Sequence, residues 1–138
     1  MTLEGMFEHA EMGGLLVAFD VLSWTKGTQP LLDQASAWAE RFGEEDPAVD
    51  GEQRERLVER ARFLAERISR WVPGTRCLHR ALASRVWLAR RGVESEVVVG
   101  FRKGGGLEGH AWLEARGKAG LIQAFFDAEA GWREVLRG

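Results

Sequence analysis

Apolar positions recur at helical spacing through the first two thirds of the chain and then change period. Leu31, Leu32, Ala35, Trp38, Ala39 and Phe42 mark one face of a helix opened by Pro30, which suits a first turn, and stopped by Gly43. From Glu52 the pattern resumes with Leu57, Ala61, Leu64, Ala65 and Ile68, and Pro73-Gly74 ends that second helix after Trp71-Val72. A third helix runs from about Cys77 to Arg91, with Leu78, Leu82, Val86 and Ala89 on one side and Gly92 as its stop.

After Gly92 the residues become β-branched and aromatic. Val93, Val97, Val98, Val99 and Phe101 read as a strand, Leu107 to Leu113 as a second, and Leu121 to Phe126 as a third. Lys103 to Gly106 and Arg116 to Gly120 are the turns between them. The first 25 residues are ambiguous. Gly13-Gly14 precedes Leu15, Leu16, Val17, Phe19, Val21 and Leu22, either a short helix or a buried segment. Residues 1–27 are a segment that packs on the core, lies peripherally or contacts a partner. The expected architecture is a single α+β domain over residues 1–138, helices first, with the cysteine-bearing helix packed on a C-terminal antiparallel meander.

Composition narrows the function. A chain of 138 residues with a net charge of −2 holds one core and has no basic excess, so nucleic acid is not an expected partner. No run approaches the ~18 apolar residues of a membrane span. MTLEGMFEHAEM has no basic n-region, so a cytoplasmic location is expected. One cysteine excludes an intrachain disulfide, and with three scattered histidines it supplies no structural zinc site. No metal and no cofactor are expected. Gly104 to Gly106 joins two strands and precedes no helix, so it reads as a hairpin tip and not a phosphate loop.

Cys77 is the residue that changes this plain picture. At a helix start, unpaired amides and the positive end of the dipole favour thiolate over thiol, and Arg76 and Arg80 act in the same direction. The same amides can donate to a developing oxyanion. His110 follows on a strand of the sheet that packs against that helix, in Gly109-His110-Ala111-Trp112-Leu113-Glu114, and can meet the thiol in space to act as its base. If the 116–120 turn closes a hairpin, residues 124–127 lie beside His110. Asp127 is the carboxylate in that window and Gln123 the nearby amide, and either can orient the imidazole. Trp112 shares the sheet face of His110 and can wall the site. Glu114, about 13 Å along the strand from His110, reads as a surface charge. His79 reads as surface or partner-facing, and His9 has no companions.

Arg76-Cys77-Leu78-x-Arg80-Ala81-Leu82, then Arg90-Arg91-Gly92-Val93, then His110-Ala111-Trp112-Leu113-Glu114 resembles the transglutaminase-like leader peptidase of lasso-peptide biosynthesis. The resemblance covers about Trp71 to Glu114, with a looser fit to the C-terminus. It implies a papain/transglutaminase-like fold, Cys77 as nucleophile, His110 as base and an aspartate on the next strand, for which Asp127 is the candidate. It further implies a cysteine peptidase that removes the leader from a ribosomally synthesised precursor peptide before a macrolactam cyclase acts. In the split form a separate small protein binds the leader, and this chain would need that partner. A non-catalytic peptide-binding module on the same fold and an acyl transferase are the alternatives.

Overall fold

A computed structural model describes residues 2–43, 46–103, 107–126 and 132–138 of the chain. Among these residues four helices are followed by four strands: α1 (Leu3–Ser23), α2 (Thr28–Phe42), α3 (Gly51–Ser69), α4 (Cys77–Ala89), β1 (Ser95–Lys103), β2 (Leu107–Gly117), β3 (Gly120–Ala124) and β4 (Arg133–Arg137). The strands form one antiparallel sheet in the order β3-β2-β1-β4. The expected α+β architecture, helices first and an antiparallel sheet after them, is therefore present.

The ambiguous N-terminus is one continuous helix of 21 residues. Thr2 caps it by accepting from the Gly5 amide at 3.0 Å. Met12, Leu16 and Phe19 of α1 are fully buried in the common core, so much of residues 1–27 packs on the body of the protein. The helix was hard to read because it is apolar nearly all round and is interrupted by two glycines, leaving no clear polar face. The second correction is β4. Arg133–Arg137 pairs with β1 across a register shift at Val99/Gly100, placing an edge strand where no strand was expected. β3 is also shorter than expected and ends at Ala124.

α4 is the central helix. α1, α2 and α3 pack around it, and its remaining side lies on β1 and β2. Its residues Ala81, Leu82, Ala83, Val86, Trp87 and Leu88 are at most 1% exposed, consistent with a helix enclosed on every side. Gly92 terminates the helix in the left-handed region at φ 78°, with Val93 N–H donating to Leu88 O at 3.0 Å and Gly92 N–H to Ala89 O at 3.1 Å. This fixed stop turns the chain directly into β1. Val97, Val99, Ala111, Leu113 and Ala115 belong to the same buried cluster as the helices, while His110, Trp112 and Glu114 alternate with them along β2. Trp24 and Trp71 are strongly exposed. Among the described residues no helix is long and apolar enough to cross a membrane.

Candidate active site

Cys77 is the first residue of α4, with Arg76 in extended conformation at the N-cap. The fold sets this start through His79. Its Nδ1 accepts the Arg76 backbone N–H at 3.0 Å, so the imidazole satisfies the entering amide much as the N3 side chain of a capping box does. His79 is buried and not surface-facing as the sequence suggested. The spacing from Cys77 correctly puts it on another side of the helix, but that side packs towards Asp20 of α1. Burial pushes its pKa down. The Asp20 carboxylate opposes that shift, while Arg76 and Arg80 reinforce it.

The α4 start abuts the edge of β2. β3 pairs with β2 only as far as Leu113↔Ala124, so beyond that point β2 is no longer covered by β3. There the Ala111 amide donates to Cys77 Sγ at 3.4 Å. A helix start and a strand edge thus hold the sulfur beside the peptide that joins His110 to Ala111, across 33 residues of sequence. Both Cys77 and His110 are half-buried.

The imidazole of His110 is held by groups that sequence reasoning did not identify. Its Nε2 lies 2.5 Å from the carbonyl oxygen of Phe125. A carbonyl only accepts, so Nε2 carries the proton of this bond and, in the neutral ring, Nδ1 keeps the lone pair. Phe125 follows the last residue of β3 and sits in the left-handed region at φ 65°, an uncommon conformation for a bulky residue. Trp132 stacks on the ring with centroids 5.0 Å apart and planes inclined by 27°, and Trp112 lies 6.2 Å away at the same inclination. Arg102 sits 4.9 Å over the Trp132 ring. No sequence signal pointed to the Phe125 carbonyl, because any residue supplies one.

Trp112 is pinned from behind. Its Nε1–H donates to Glu114 Oε2 at 3.1 Å, Phe126 packs on it, and it lies over Gly100, where a Cβ would come within 2.7 Å of the indole. Glu114 is buried, which corrects the surface reading. It also accepts from Gln123 Nε2 at 3.0 Å and from Arg137 at 2.7 Å, and β4 is what brings Arg137 there. Burial would raise the Glu114 pKa, but the hydrogen bonds from Gln123, Arg137 and Trp112 outweigh it and hold the carboxyl below its ordinary value. Gln123 is therefore engaged with Glu114. Asp127 and the Gly104–Gly106 turn lie outside the described residues. No group of three or more His, Cys, Asp or Glu side chains among the described residues is placed to hold a metal ion.

Neither the curated proteins nor the solved structures include a match to this chain. The model of one protein family matches residues 15–130, a span that includes the whole of α4 and β2 with Cys77 and His110. Members of that family are usually catalytic, as cysteine peptidases or transglutaminases. A cysteine on the first turn of a central helix, set against a histidine-bearing strand, agrees with that match, and the chain belongs to the Transglutaminase-like superfamily.

Proposed function

We propose that the chain is a cysteine peptidase that removes the leader from a ribosomally synthesised lasso-peptide precursor through an acyl-thioenzyme intermediate. The observation that carries the reading is Cys77 Sγ at the start of α4, held by the amide next to His110. In this scheme His110 Nδ1 takes the thiol proton and Sγ attacks the scissile carbonyl carbon. The first amides of α4, which have no intrahelical acceptor, donate to the resulting oxyanion. His110 returns the proton to the leaving amine as the C–N bond breaks. It then deprotonates a water, which releases the leader carboxylate and restores the thiol. The Phe125 carbonyl keeps the imidazole oriented throughout, and Asp127 is the carboxylate proposed to complete the group. Trp112 and Gln123 are the proposed substrate-side residues, Trp112 as a wall of the site. A cytoplasmic location and a separate small leader-binding protein that presents the precursor complete the proposal, with a macrolactam cyclase acting on the product.

The test is cleavage of a lasso precursor peptide supplied with a leader-binding protein, followed by mass spectrometry. The Cys77→Ala variant should leave the precursor intact while retaining the wild-type circular dichroism. Unchanged turnover would sink the proposal. Repeating the reaction with an added primary amine separates hydrolysis from acyl transfer, since the latter adds the amine to the product.

A further inference from the structure

The outer face of α1 has a construction that neither the core nor the catalytic site uses. Leu3, Met6 and Phe7 at one end and Val17, Val21 and Trp24 at the other are each between 47% and 73% exposed. Leu3, Phe7, Ala10, Gly14, Val17, Val21 and Trp24 are spaced alternately by four and three, which aligns them as one stripe along the helix. The opposite face of the same helix buries Met12, Leu16 and Phe19, so α1 is apolar on both sides.

Gly14 is the informative residue. A mid-helix glycine costs about 0.5–1 kcal/mol relative to alanine. Yet a Cβ added at Gly14 would meet nothing within 4 Å, so the folded chain itself does not require the glycine. A bare stretch of helix in the middle of an apolar stripe suits close approach by another backbone.

Turning the helix end for end about the Gly13–Gly14 midpoint puts Leu3 on Trp24, Met6 on Val21, Ala10 on Val17 and Gly13 on Gly14, with Phe7 opposite Asp20, so most of the exposed apolar positions face one another. Six large side chains, each exposing half to three quarters of an area on the order of 200 Å², present roughly 700 Å². A standard interface buries about 800 Å² per partner. A membrane surface is a poor occupant, because the charged residues of α1 are Glu4, Glu8, Glu11 and Asp20, and interfacial helices are rich in Lys and Arg.

We propose that this face is an isologous interface with a second copy of this chain, in which two α1 helices pack antiparallel about a two-fold axis at Gly13–Gly14. The 3-4 spacing gives the shallow left-handed crossing of antiparallel bundles, with the bulky residues of each end covering the other end's counterparts. The inference is independent of the catalytic reading.

Light scattering on the full chain across a dilution series tests it. The expected mass is twice the 15.4 kDa of the chain, reverting to 15.4 kDa in Gly14→Glu and Val17→Glu with unchanged circular dichroism. Gly14→Glu places its side chain in open space in the monomer, so it decides the question alone if Val17→Glu loses its fold. In a Cys77→Ala background, Gly14→Cys should form a disulfide-linked dimer on oxidation and Leu3→Cys should not. A monomer at every concentration overturns the proposal, including one that engages an unrelated protein through this face. So does a dimer that survives both glutamate substitutions, or one that crosslinks through Leu3→Cys but not Gly14→Cys.

Discussion

Replacing Glu114 with alanine removes one carboxylate and strands three donors of unequal cost. The Trp112 Nε1–H is buried, and without its acceptor it carries a desolvation penalty of about 1–3 kcal/mol. Arg137 keeps Glu96 and Glu134 as partners and its side chain is 39% exposed, so its loss is limited to about 0.5–1 kcal/mol. Gln123 is exposed and turns to water at little cost. The sum is about 1.5–4 kcal/mol, readable as a lowered urea midpoint by tryptophan fluorescence at neutral pH. The pH dependence follows from the depressed folded-state pKa. Glu114 binds its proton more weakly in the folded state than in the unfolded one, so its contribution is complete above the ordinary value of 4.5. It is lost as the pH falls through the lower folded value, and there the gap between wild type and variant should narrow. A difference under about 0.5 kcal/mol at pH 7, the range of an ordinary surface substitution, would refute the reasoning and return Glu114 to the status of a surface charge.

His79→Ala should cost about 1–2 kcal/mol by removing the acceptor of the Arg76 amide, measured by thermal unfolding. Because burial depresses the His79 pKa, its contribution is present above the ordinary 6.5 and declines as the pH falls below it, so the variant should lose less stability than wild type on acidification. An equal acid response of the two proteins would count against a neutral buried imidazole. Gly92→Ala adds a Cβ at φ 78° that would lie 2.4 Å from the Asp46 Cβ, and a loss of about 2 kcal/mol or more is expected in denaturant titration. An unchanged midpoint would show that the α4–β1 turn relaxes freely.

α2 and α3 were legible because each has a single buried face at helical spacing and a Gly or Pro at its end, and α4 and the first three strands because residue type and glycine stops mark them even where burial is all round. The pairing of Cys77 with the His110 segment was legible for the same reason, since a helix start and a strand are positions that periodicity locates. α1 was obscured by apolar residues on both faces. β4, Arg-Glu-Val-Leu-Arg, is a short edge strand whose register depends on β1 and not on its own pattern. Glu114 and His79 were misread because neither Arg137 nor Asp20, their long-range partners, is near them in sequence. The Phe125 carbonyl has no residue-type signature at all.

That carbonyl has a consequence for how the site can vary. A side-chain anchor is erased by one codon change, whereas a main-chain oxygen survives any substitution at its own position that keeps the left-handed backbone. What His110 depends on is where β3 stops, so the vulnerable quantity is length. A one-residue insertion or deletion between Gly117 and Ala124 would shift the oxygen along the strand by about 3.3 Å and take it out of reach of the imidazole. Homologous chains keeping this anchor are expected to hold the count of residues between His110 and the end of β3 constant, and to vary at residue 125 only among residues that tolerate the left-handed conformation.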